Sequence, residues 1–159
     1  MANPSDSETN DRSESTPVLV SACLLGRPCR YDGKAKRDAS LEQELQSAGL
    51  RPIPFCPEES GGLSTPRPKA WIESQDAAAV WSGDSEMVTE HGQNVSKEFK
   101  AGAALAMEQC VKHSISDAYL KERSPSCGVE QTHVQNKPVA GPGVTTALLI
   151  KNGVRVHGR

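Results

Sequence analysis

Apolar residues along this chain fall into short blocks separated by stretches rich in Gly, Pro and Ser, and the period inside each block predicts an element. "VLVSA" (residues 18–22) reads as a short buried strand ending at Cys23. "ASLEQELQSAG" puts Leu41, Leu45 and Ala48 at helical spacing and stops at Gly49, a residue suited to a helix C-terminus. "LRPIPF" reads as a second strand ending at Cys56, with Pro52 and Pro54 weakening any central role in a ladder. Residues 57–95 then read as a long irregular insert, with weak strand signals only near "AAAVW". "VSKEFKAGAALAMEQCVKH" is the clearest helix: Ser96 is the expected N-cap, and Phe99, Ala103, Ala106, Met107 and Cys110 or Val111 form its apolar stripe. "ISDAYL" is a third strand leading into "KERSPSCG", "GPGVTTALLIKNG" a last helix ended by Gly153, and "VRV" a final short strand. Strands alternating with helices predict an α/β fold: a single domain with a mostly parallel sheet flanked by helices.

Composition changes this picture at one end. The chain has 159 residues, enough for one domain with a real core, yet only 36% are hydrophobic and 4% aromatic. Residues 1–16 contain no Val, Leu, Ile or aromatic residue, so they offer little to offset their own ordering entropy. They read as a disordered tail ahead of a domain spanning 17–159, and they lack the basic start and apolar stretch of a signal peptide. No apolar run is long enough to span a membrane. The formal net charge of −2, with Lys and Arg spread along the chain, gives no electrostatic footprint for nucleic acid. Five cysteines without a secretory signal point to a reducing, cytoplasmic setting, where thiols serve metals or chemistry more often than disulfides.

Three strands run directly into loops that carry Cys23, Cys56 and Cys127. In open α/β sheets, ligands bind outside the carboxyl ends of the strands, so the three thiols are expected to converge there. Iron–sulfur clusters are held by thiolates that need not be close in sequence. The gaps lack the tight C-x-x-C pairs of structural zinc, and spacing alone fits ordinary half-buried cysteines equally well. The neighbours add chemistry. Glu58 lies two residues past Cys56 and can act as a base, and Ser124, three before Cys127, can donate to a substrate atom. The bland alternative for Glu58, and more so for Glu59, is a solvated turn. Cys110 belongs to the apolar stripe of its helix and reads as core. Cys29 shares the loop of Cys23 and is open to three roles: fourth ligand, sulfur acceptor or incidental thiol. Arg27, Arg30, Lys34, Lys36 and Arg37 could hold an anionic substrate or simply form a solvated basic loop. His91, His113, His133 and His157 show no ligand spacing.

Taken in order, "VLVSACLLGRPCRYDG", "IPFCPEESGGLSTPR", "KEFKAGAALAMEQC" and "YLKERSPSCG" resemble a bacterial family whose best-understood members are thiouracil desulfidases. The resemblance covers nearly all of residues 17–156. It implies a [4Fe-4S] cluster held by three cysteines, with one iron lacking a protein ligand. Carried over position by position, the ligands are Cys23, Cys56 and Cys127, the catalytic acidic residue is Glu58 and the catalytic serine is Ser124. The implied reaction is hydrolytic: an open iron binds the sulfur of a thiocarbonyl, water activated by Glu58 attacks the ring carbon, and sulfide leaves. Two departures bear on the pocket rim, namely the short segment "VEQTHVQNKPVAGPG" and the C-terminal "VHGR". Longer relatives with an additional domain act on thiolated tRNA. Without that domain or a basic surplus, this chain is expected to take a small thiopyrimidine base or nucleotide, with no membrane or nucleic-acid partner. The rival readings are a cluster-free sulfur carrier or redox protein using Cys23 and Cys29, and a non-catalytic iron–sulfur or zinc module.

Overall fold

The first apolar run becomes strand β1 (Thr16–Ser21), and its alternating residues feed two separate cores in the computed structural model, which describes residues 15–159. Val18 and Val20 point to one side, against Leu41 and Leu45 of helix α1 (Ala39–Ser47). Leu19 points to the other, toward Ala106 and Cys110 of helix α4 (Ser96–Lys112) and Leu149 of helix α5 (Val144–Lys151). A strand buried on both faces is what a parallel sheet under two helical layers requires. Here that sheet has the order β2 (Leu50–Phe55), β1, β5 (Asp117–Leu120) and β8 (Arg155–Gly158), with every neighbouring pair parallel. β2 lies at an edge, where Pro52 and Pro54 leave no central ladder incomplete. The expected α/β architecture, with its mostly parallel sheet flanked by helices, is therefore present. Of the expected tail, residues 1–14 lie outside the described residues, and Thr16 is already in β1.

The insert departs from expectation. Residues 57–95 hold helix α2 (Pro57–Ser60), strand β3 (Ala70–Ile72), helix α3 (Ala77–Ser82) and strand β4 (Met87–Thr89). "AAAVW" is helical and not extended. The Asp76 carboxylate accepts the Ala79 N–H at 2.9 Å as an N-cap, and Gly83 closes the helix with φ +89°. β3 and β4 join a hairpin, β6 (Gln131–Val134) and β7 (Lys137–Ala140), in a second sheet of order β4-β3-β6-β7. Gln135 and Asn136 link the hairpin with φ values of +51° and +59°, the two-residue turn that matches strand twist. Ser96 is also placed differently from the expected N-cap. It is the first residue inside α4, and its hydroxyl accepts the Met87 N–H at 2.8 Å, fastening the helix to β4. The exposed Val111 leaves Cys110 as the buried member of that pair. Among the described residues, no helix is long and apolar enough to cross a membrane.

Two glycine contacts fix the layers near the strand ends. Gly61, just past α2, and Gly102 of α4 let the two backbones touch: a Cβ on Gly102 would lie 1.9 Å from the Pro57 carbonyl oxygen, and one on Gly61 2.0 Å from that of Glu98. Gly143 does the same for the loop after β5, where a Cβ would lie 2.6 Å from the Ser126 carbonyl carbon.

Candidate active site

Three strand ends deliver the site. After Ser21, β1 tightens into a 3-10 turn (Ala22–Leu25) carrying Cys23, and the chain then folds back to place Cys29 beside it. β2 runs into Cys56, which precedes the first turn of α2 with Pro57 at its start. β5 runs into the segment 121–130, with Ser124, Ser126 and Cys127. The Ser21 hydroxyl accepts the Lys121 N–H at 2.9 Å, so the ends of β1 and β5 are tied together.

The third loop is held by backbone groups. The start of α5 donates Val144 N–H to Pro125 O at 3.0 Å and Thr145 N–H to Ser126 O at 2.9 Å, using donors that a helix start leaves free. The Thr146 hydroxyl donates to Cys127 O at 2.9 Å. The Glu122 carboxylate accepts the N–H groups of Val129, Glu130 and Gln131. The Ser124 hydroxyl accepts from the Cys127 and Ser126 N–H groups at 3.1 and 3.2 Å. Cys127 is thus presented by a loop with few loose bonds.

All five residues expected at the site meet on one cavity of about 480 Å³: Cys23, Cys56, Cys127, Glu58 and Ser124. Cys29 lines it too. The four thiols here are buried, and none is in a disulfide. Three of them, Cys56, Cys29 and Cys23, neighbour one another: the Cys56 thiol donates to the Cys29 carbonyl at 3.7 Å, and the Cys29 and Cys23 thiols interact. The bond received from Cys29 draws the Cys23 thiol below its ordinary value, against the opposing effect of burial. Donating it pushes Cys29 up to about 11, and the same cause with burial raises Cys56. Burial pushes Cys127 up to about 12, although Ser126 donates to its sulfur at 3.4 Å. Cys110 lies apart, in the core among Ala106, Ile115 and Leu149, as its stripe position predicts.

Glu58 and Glu59 have separate surroundings. The Glu58 carboxyl is largely buried, and desolvation raises it above the usual carboxylate range while Arg67 and Ser126 pull it back. Arg67 Nη2 lies 3.4 Å from Glu58 Oε2. Glu59 has different partners, accepting from Thr65 Oγ1 at 2.7 Å and pairing with Arg27 at 3.1 Å. A Glu59 carboxylate oxygen and the sulfurs of Cys29 and Cys56 lie within 4.8 Å of one another, but Arg27 and Thr65 already engage that carboxylate. Of the basic residues singled out in the first loop, Arg30 and Lys36 line the cavity; Arg37 instead pairs with Glu42 at 2.8 Å.

Sequence reasoning missed three contributors. Ser126 is fully buried, within hydrogen-bond distance of both Ser124 and Cys127 and bonded to Glu58, so it connects the carboxyl to the third loop. Its place in "SPSCG" beside a site cysteine was the available signal. Arg67, in "GGLSTPR", lay inside the segment read as irregular. Lys121 opens the third loop, and its ammonium is held below the usual value by burial and by Arg30.

The chain is similar to known proteins over most of its length. A family model described as 2-thiouracil desulfurase matches residues 18–158. The uncharacterised protein YbbK of Bacillus subtilis (strain 168) is 35% identical over 142 residues, which is 87% of this chain and 93% of that protein. The solved structure of the [4Fe-4S]-dependent thiouracil desulfidase TudS is 41% identical, with a TM-score of 0.76 and 91% of each chain covered.

Proposed function

This chain belongs to the 2-thiouracil desulfurase family, and we propose that it uses a [4Fe-4S] cluster to convert the C=S of a small thiopyrimidine into C=O, releasing sulfide. One observation carries the reading. Thiols from three separate strand ends line one cavity together with a largely buried carboxyl and a hydroxyl.

The donor set suits the cluster. Cys23, Cys56 and Cys127 are soft sulfur ligands; the hydrogen bond with Cys29 and burial raise Cys56, burial raises Cys127, and both thiolates are disfavoured unless a cationic centre is beside them. These three would hold the cluster and Cys29 would stay free. When bound, it supplies a thiophilic iron for the substrate sulfur.

The chain's own groups do the rest. Glu58 takes a proton from the water that adds to the ring carbon; a carboxyl raised by burial is closer to the pKa a general base needs. Ser126 is bonded to Glu58, and its hydroxyl lies 3.1 Å from that of Ser124, so a proton can pass from the carboxyl toward the leaving side of the ring. Ser124 orients the heterocycle. Arg30, Lys36 and Lys121 make the cavity electropositive, which favours an anionic substrate form. The reaction balances as C=S plus water giving C=O plus hydrogen sulfide, with no electron exchanged.

Anaerobic reconstitution followed by thiouracil turnover tests the reading. Cluster-bearing protein is expected to release one sulfide per uracil formed; cluster-bearing protein that releases none refutes it. The contact between Cys23 and Cys29 favours a second reading, a cluster-free sulfur carrier. Protein that remains without iron after reconstitution and forms a persulfide on that pair would establish it.

A further inference from the structure

Arg67 sits where the loops meet. Its side chain is only 4% exposed, yet it belongs to none of the three strand ends. Nη2 donates to the Cys29 carbonyl at 2.9 Å and lies 3.4 Å from Glu58 Oε2. Nη1 donates to Thr65 Oγ1 at 2.9 Å and to Ser64 O at 3.2 Å. The Arg67 backbone N–H donates to Tyr31 O at 2.8 Å, a second grip on the first cysteine loop. One guanidinium therefore joins the Cys29 loop, the segment 64–65 and the carboxylate that follows Cys56.

We propose that Arg67 is a positioning residue for desulfuration, fixing the Glu58 carboxylate at the cavity through a planar fork braced on the Cys29 carbonyl. The proposal rests on the desulfidase reading above. Three points of chemistry support it. First, a carboxylate taken from water needs a paired charge, and Arg67, itself buried, is the cation 3.4 Å from the largely buried Glu58 carboxylate. Second, the charge is fixed rather than mobile, because four other hydrogen bonds of Arg67 hold it to backbone and to Thr65. Third, the Cys29 carbonyl also faces the Cys56 thiol, whose sulfur lies 3.7 Å away. Arg67 satisfies that carbonyl at the shorter distance of 2.9 Å, so the brace does not depend on the thiol. A lysine carries the same charge but cannot span the fork.

The test is a double-mutant cycle on anaerobically reconstituted protein, with iron content measured on every sample. Arg67→Ala is expected to keep its iron and to lose roughly 10²-fold in kcat with little change in KM, as a misplaced catalytic group does. Arg67→Lys is expected to recover only a small part of that loss, while added methylguanidinium recovers more in Arg67→Ala. In a Glu58→Ala background, Arg67→Ala should cost almost nothing further, because its route to the reaction is gone. Losses that multiply, or a fall in kcat that follows a fall in iron, would overturn the proposal. A positional measurement keeps this independent of turnover. In crystals of cluster-bearing Arg67→Gln the Glu58 carboxylate should leave its wild-type place, and a carboxylate that stays put refutes the assignment even if thiouracil proves not to be the substrate.

Discussion

Gly102 offers a way to disturb the site without touching it. The glycine lies in the middle of α4, outside the cavity lining, and a Cβ there would stand 1.9 Å from Pro57 O and 2.7 Å from Pro57 C. Both atoms are backbone, so neither can rotate away. An ordinary carbon–oxygen approach is about 3.3 Å, which obliges the 56–58 turn to retreat by roughly 1.5 Å in Gly102→Ala. That turn carries Cys56 and Glu58. A displacement of about 1 Å at a reacting group is enough for a loss of roughly 10²-fold, so kcat should fall by at least that much. Stability should change less. Overpacking costs roughly 1–3 kcal/mol, and Ala in a helix interior returns about 1 kcal/mol relative to Gly. The assay pairs a thermal melt with sulfide release on the same anaerobic preparation. Ala104→Gly, at an exposed position two residues on, is the control: it should lose roughly 1 kcal/mol of stability and no activity. A Gly102→Ala protein with unaltered kcat would refute the argument that this backbone contact sets the place of the second loop.

Three other outcomes are expected. Alanine at Cys23, Cys56 or Cys127 should remove most bound iron, whereas Cys110→Ala, in the core, and Cys29→Ser should retain it; iron and acid-labile sulfide analysis decides. Glu58→Ala and Ser124→Ala should keep iron and lose roughly 10²–10⁴-fold in turnover, while Glu59→Ala, whose carboxylate faces Arg27 and Thr65, should keep most of it. Stability should fall in acid: the Leu41 N–H at the α1 cap holds Asp38 below the usual range, and Arg155 and His157 hold Asp117 there. Both groups bind fewer protons folded than unfolded, so their contribution is complete above the ordinary aspartate value and is lost as pH falls through their lower folded values. Asp38→Asn and Asp117→Asn should flatten the acid limb of a denaturation series, and an unchanged limb in both would contradict the assignment.

The parallel sheet was legible because its inner strand β1 is buried on both faces and appears as an apolar run, and because short strands alternate with helices along the chain. Once "VLVSA", "LRPIPF" and "ISDAYL" are strands, parallel topology alone brings the residues that follow them to one edge, and Cys23, Cys56 and Cys127 converge without further information. The second sheet gave no such signal. β7 is exposed along its whole length, β3 and β4 have three residues each, and the hairpin turn "QN" lacks the glycine that usually marks it. Its effect on the site is nonetheless large, because the same insert that supplies β3 delivers Arg67. Ser126 was hidden for a different reason. Its role depends on Glu58, 68 positions earlier, coming into hydrogen-bond range, and no local pattern encodes a contact at that separation. The thiols proposed as ligands were thus readable from where strands stop, whereas the groups around Glu58 depend on how the insert packs back over the strand ends. That division predicts where variation in this chain would act: changes in the strands and their cysteines on holding iron, changes in the insert on turnover.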